Sequence, residues 1–88
     1  MKVTYRKTFL KELSRIPQKI RIKIEDFVFN QVHQASSIYE INKIEGLKGY
    51  KGYFKARFGL YRIGMQLEGD TLIFERVLHR KDIYRYYP

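Results

Sequence analysis

Three alternating runs lie between Gly49 and His79, separated only by Gly59 and by Gly69-Asp70. Connections this short cannot carry a crossover, so consecutive strands can only fold back on one another as antiparallel hairpins. The expected strands are Gly49 to Phe58, Leu60 to Glu68 and Thr71 to His79, a three-stranded meander. Alternation then sorts the side chains between two faces. In the first strand Tyr53, Lys55 and Arg57 oppose Phe54, Ala56 and Phe58; in the second Arg62, Gly64 and Gln66 oppose Tyr61, Ile63, Met65 and Leu67. One face is cationic and the other apolar. The third run favours neither face, because Leu72, Phe74 and Leu78 compete with Ile73 and Val77, the pattern of a central strand with little exposure.

The residues ahead of the meander have a different period. Lys2 to Lys7 alternates, with Val3 and Tyr5 on one side, and reads as a short strand. From Thr8, a candidate N-cap, Phe9, Leu10, Leu13 and Ile16 take helical spacing. Pro17 suits a first helical turn but not an interior, so Ile16-Pro17 marks the joint of a helical hairpin. A second helix is expected from about Gln18 to about Ala35, with Ile20, Ile24, Phe27, Val28, Gln31 or Val32, and Ala35 on its apolar face. Ser36 to Lys48 connects helix to meander, tethered by Ile38, Ile41, Ile44 and Leu47, with no regular period through Asn42 to Leu47. The expected fold class is therefore α+β: an N-terminal strand, a helical hairpin, then a three-stranded antiparallel meander, with the helices on one face of a small sheet.

At 88 residues the chain has room for one domain, taken as 1–88, which buries roughly 60 to 65% of the surface exposed when unfolded. The absence of cysteine removes disulfides and thiolate metal sites and suits a reducing compartment. No apolar run approaches the ~20 residues of a membrane span, and the Met1-Lys2-Val3-Thr4-Tyr5-Arg6 start lacks a signal-peptide apolar region. A cytoplasmic protein with no membrane partner is the expectation. His33 and His79 stand apart and the carboxylates are scattered, so no metal and no cofactor is expected. Gly46, Gly49 and Gly52 precede a strand and do not have the spacing of a phosphate loop.

Charge points to the partner. Lys and Arg number 18 against 9 Asp and Glu, a formal net charge of +9, and no carboxylate lies between Glu45 and Glu68, where Lys48, Lys51, Lys55, Arg57 and Arg62 fall. A one-signed segment of this kind fits nucleic acid or an acidic protein.

Four stretches carry a family resemblance: Asn42-Lys43-Ile44-Glu45-Gly46-Leu47, Tyr53-Phe54-Lys55-Ala56-Arg57, Gly59-Leu60-Tyr61-Arg62-Ile63 and His79-Arg80-Lys81-Asp82-Ile83-Tyr84. Together with the opening strand and helical hairpin they resemble the RelE/ParE superfamily of toxins from bacterial type II toxin-antitoxin systems. The resemblance implies a small cytoplasmic toxin held inactive by a cognate antitoxin. In the RelE branch it implies metal-independent cleavage of mRNA on the ribosome; in the ParE branch, inhibition of DNA gyrase. A homologue that only binds its antitoxin is a third possibility. The gyrase branch typically lacks the terminal His or Tyr, so the RelE branch is favoured.

RNA cleavage by 2′-hydroxyl attack needs a base for that hydroxyl, cations for charge developing on phosphorus, and an acid for the departing 5′-oxygen. Lys55, Arg57 and Arg62 are the expected cations, with Arg80 a candidate to join them from the end of the last strand. A histidine, with a reference pKa near 6.5, exchanges protons without large tuning, whereas a tyrosine, near 10, needs neighbouring cations. His79 and Tyr84 are the candidates for base and acid, in either order; the resemblance aligns Tyr84 with the C-terminal tyrosine of ribosome-dependent members. Duller readings stand beside these, a turn cap for His79 and tail packing for Tyr84. Arg57, Lys48, Lys51 and Lys81 are expected to bind RNA backbone. Where many members carry a basic residue two positions before Lys55 this chain has Tyr53, which suits base stacking.

Overall fold

The computed structural model describes residues 1–88. In chain order it contains β1 (Lys2–Tyr5), α1 (Lys7–Leu13), α2 (Gln18–Asp26), a π-helical turn (Phe27–Gln31), α3 (Val32–Gln34), a 3-10 turn (Ile38–Glu40), β2 (Ile44–Gly46), β3 (Tyr53–Phe58), β4 (Tyr61–Glu68), β5 (Thr71–His79) and α4 (Ile83–Tyr86). The strands form one sheet in the order β1-β5-β4-β3-β2. The meander is antiparallel as expected, and β1 closes one edge by pairing parallel with β5, Lys2 opposite Thr71 and Tyr5 opposite Phe74.

Several boundaries differ from the sequence reading. Thr8 is not an N-cap: the backbone is still extended at Arg6, whose N–H bonds the Phe74 carbonyl at 3.0 Å, and α1 begins at the next residue. The first strand of the meander starts at Tyr53, not Gly49, because Gly49 and Gly52 both take φ of 84°, a left-handed conformation that glycine adopts without steric cost. Asn42 to Leu47, expected to be irregular, contains a strand, since Ile44, Glu45 and Gly46 pair with Ala56, Lys55 and Phe54. Three residues are too few for a period to show. The second helix spans the expected range, with one π turn inside it where the Val32 N–H reaches the Phe27 carbonyl.

The helices cover one face of the sheet. Fifteen buried side chains make the core there: Phe9, Leu13, Ile16, Ile24, Phe27, Val28, Val32 and Ile38 meet Ala56, Phe58, Ile63, Met65, Leu72, Phe74 and Val77. Burying side chains of this size contributes about 1.5–3 kcal/mol each. The ambiguity of the last strand has a structural cause. Gly64 pairs with Arg76 but Met65 with Phe74, so Glu75 is an extra residue, a β-bulge that changes the phase of alternation. Leu72 and Phe74 face the core before the bulge and Val77 after it.

The other face of the sheet is not left bare. Ile73, Ile83 and Tyr87 are buried yet lie outside the main core. They form a small second layer in which α4 and the residue after it fold back over β3 to β5.

Candidate nucleic-acid interface

The outer face is built from strand alternation and register. Arg57 of β3 stands directly opposite Arg62 of β4, Lys55 opposite Gly64, and Tyr53 opposite Gln66, all on the side away from the helices. Two like charges at a cross-strand pair repel one another. Each arginine finds compensation nearby. Arg62 folds back so that Nη1 donates to the Gly59 carbonyl at 2.7 Å and the Tyr61 carbonyl at 3.0 Å, while Arg57 reaches Glu45 Oε1 at 3.5 Å. Glu45 enters this surface only because β2 pairs with β3, so a segment without carboxylates in sequence acquires one in space.

Arg80 comes to the same end of the sheet: its N–H bonds the Leu60 carbonyl at 2.7 Å, which ties the residue after β5 to the turn between β3 and β4. Tyr84, on the α4 turn, is 55% exposed, and Lys55 Nζ lies 6.0 Å from the centre of its ring. The two line a cleft of about 300 Å³ together with Leu47, Lys48, Tyr50 and Tyr87. Lys51 and Lys81 are exposed in turns. Tyr53 is half-buried with its ring edge-on to Tyr87 at 6.0 Å.

His79 is placed differently. It pairs with Tyr61, which puts it on the face of Ile63 and Val77, and its ring meets Tyr61 edge-on at 5.6 Å. Its Nδ1 accepts the Lys81 N–H at 3.1 Å, as a turn cap does. Lys55, Arg57, Arg62 and Tyr84 therefore share the outer face, with Arg80 tied to its rim, and His79 starts from the opposite side.

Three residues that sequence reasoning did not single out shape this surface. Tyr87 is 3% exposed, its hydroxyl accepting the Phe54 N–H at 3.1 Å and donating towards the carbonyls of Phe54, at 2.8 Å, and Met65. Burial raises its pKa well above the ordinary tyrosine value. Gly64 lies beneath that ring. Arg76 makes three hydrogen bonds of 2.5–3.1 Å to the Glu12 carboxylate, which also accepts the Val77 N–H at 3.1 Å, and the Tyr86 ring lies 5.0 Å from the Arg76 guanidinium. A run of tyrosines near the end of the sequence was the visible signal; which of them packs and which is exposed depends on the turn of α4.

Elsewhere, a hollow of about 610 Å³ beside Met1, Lys2, Tyr39 and Asp70 has its one lysine paired with Asp70 at 3.7 Å. No three His, Asp or Glu side chains converge in a metal-binding arrangement, and no helix is long and apolar enough to cross a membrane.

Known proteins share this framework. A profile of the family described as the ParE toxin of type II toxin-antitoxin system, parDE, matches residues 3–84. The chain is 44% identical to Toxin RelE3 of Methanocaldococcus jannaschii over 89 residues, 100% of each sequence. Its fold is similar to that of a chain in the RelB-RelE antitoxin-toxin complex from Methanococcus jannaschii, with a TM-score of 0.80, 41% identity, and 97% of this chain and 99% of that one covered. A chain of the archaeal RelE-RelB complex from Pyrococcus horikoshii shares the fold at a TM-score of 0.69 and 18% identity, covering 90% of this chain and 93% of that one.

Proposed function

Because the chain belongs to the ParE toxin family of type II toxin-antitoxin systems, within the RelE/ParE superfamily, we propose that it is a ribosome-dependent mRNA endoribonuclease neutralised by a cognate antitoxin. The observation that carries this reading is the exposed Tyr84 beside Lys55, on the face where Arg57 and Arg62 stand opposite each other.

In this reading the message lies along the outer face with its scissile phosphate among Lys55, Arg57, Arg62 and Arg80. The 2′-oxygen attacks phosphorus and its proton passes to a base. The 5′-oxygen leaves and takes a proton from an acid, which yields a 2′,3′-cyclic phosphate and a 5′-hydroxyl. Arg62 would exchange its carbonyl partners for the phosphate, where donors aimed at developing charge act most strongly. Tyr84 is the proton-transfer group favoured by proximity to Lys55, and His79 would need to swing from the other face to serve as its complement. Lys48 and Tyr50 in the cleft, with Tyr53 beside it, suit a backbone phosphate and a stacked base.

The antitoxin is expected to offer an acidic, mostly disordered segment that folds over the sheet or along the helical hairpin, an association that weakens as salt rises if charge dominates. An antitoxin partner is supported by the RelB-RelE antitoxin-toxin complex, which contains a chain 41% identical to this one. Expression in bacteria followed by primer extension on a reporter message tests the enzymatic reading: cuts in phase with codons are expected. An intact message with induction of the DNA-damage response would favour the gyrase reading that the same superfamily allows.

A further inference from the structure

A single helical turn has almost no stability of its own, because nucleating a helix fixes several dihedrals for one hydrogen bond. The α4 turn is four residues long, so the place of Tyr84 depends on what holds its neighbours. Ile83 and Tyr87, four apart and on one side of the turn, are 1% and 3% exposed, and neither belongs to the core beneath the helices. Tyr84, on another side, is 55% exposed.

The Tyr87 ring rests against the backbone of Gly64. A Cβ built on Gly64 would lie 2.6 to 2.7 Å from three carbons of that ring, closer than real contacts allow. No other residue type leaves room for the ring there. From this seat the Tyr87 hydroxyl bridges β3 and β4, bonding Phe54 and Met65, residues that face one another in the sheet. The Tyr86 ring, on Arg76, adds a second tie. We infer that Tyr87, seated over Gly64, is a positioning residue: it fastens α4 to the outer face and so fixes the Tyr84 ring beside Lys55. This rests on the ribonuclease reading for its catalytic consequence, but the fastening is a property of the free protein.

Two readouts separate the two claims. In the first, single-turnover cleavage on ribosomes is compared for the parent, Tyr84→Ala, Tyr87→Ala and the double variant. Misplacing a reacting group by an ångström costs roughly a hundredfold, so Tyr87→Ala should lose about that much rate at saturating ribosome concentration. Because it acts through Tyr84, it should cause no further loss in the Tyr84→Ala background. Tyr87→Phe, which keeps the ring over Gly64, should recover most of the rate. In the second, NMR follows the contact between the Tyr84 ring and the Lys55 side chain, and amide exchange through residues 80–86. Tyr87→Ala and Gly64→Ala should both abolish the contact and speed exchange, with the main unfolding transition retained. Parental cleavage or a persistent Tyr84–Lys55 contact in Tyr87→Ala would overturn the inference, as would losses that multiply in the double variant. So would a Tyr87→Ala chain that no longer unfolds cooperatively, since the anchor would then be part of the core. If the parent itself does not cut message, the ribonuclease reading fails, and the NMR outcome still decides whether Tyr87 holds α4.

Discussion

The two faces of the sheet are held by different means. The inner face is fixed by fifteen interlocking apolar side chains drawn from the helices and β3 to β5. Its geometry is over-determined, because each residue is confined by many others. The outer face is held by a few identifiable contacts: one ring over one glycine, one carboxylate on one guanidinium, and two arginines each balanced by a nearby acceptor. Stability is concentrated on one face, and the proposed chemistry lies on the other. Substitutions should therefore sort by face, with inner changes costing folding and outer changes costing activity.

The largest effect should come from the inner face. Phe74→Ala removes a fully buried ring that packs against Tyr5 and Phe9, and is expected to cost about 3–5 kcal/mol in denaturant unfolding. On the outer face Arg62→Ala should lose on the order of 3 kcal/mol of transition-state stabilisation, read as cleavage rate, with an unfolding midpoint close to the parent's. A large loss of stability in Arg62→Ala would break the division between faces.

Glu12 tests the seam between them, since α1 belongs to the inner layer and Arg76 supports Tyr86. Glu12→Gln keeps the shape but removes the charge, and should cost about 2 kcal/mol, appropriate to hydrogen bonds with charged partners. Alkaline titration sharpens the contrast. Folding raises the pKa of Tyr87, so its contribution is complete below the unfolded tyrosine value of about 10 and is lost as pH climbs through the higher folded value. Above about pH 10, amide exchange in α4 should accelerate before exchange in β4 and β5 does. The smallest change is expected from Glu45→Gln, which breaks a half-exposed ion pair worth less than about 1 kcal/mol. Unfolding should barely move, while RNA affinity at low salt should rise.

Legibility in the sequence also followed this division. The inner face could be read because apolar periodicity reports burial directly: Phe9, Ile24, Phe27, Val28, Ile63 and Met65 are all where spacing places them. The basic triplet Lys55, Arg57 and Arg62 was legible for the same reason, since alternation assigns a face whatever the residue type. What failed to show were features made by one residue or by distant pairing. A single extra residue, Glu75, disguised the faces of β5, and a three-residue strand carried Glu45 into the basic surface. Whether Tyr84 or Tyr87 would pack was open because both are tyrosines on one turn, and the choice is made by the empty space above Gly64.

The parallel pairing of β1 with β5 has a consequence for the order of assembly. Residues 2–5 are synthesised first among the strands and their only strand partner, residues 71–74, last. β5 is also the strand that joins β1 to the rest of the sheet, and pairings of such long sequence separation form slowly. A nascent chain that has reached residue 70 therefore has a helical hairpin and at most a β2 to β4 fragment, with neither α4 nor a closed edge. The Tyr84–Lys55 pair and the arginines of the outer face therefore cannot be brought together until residues 71–84 have been made.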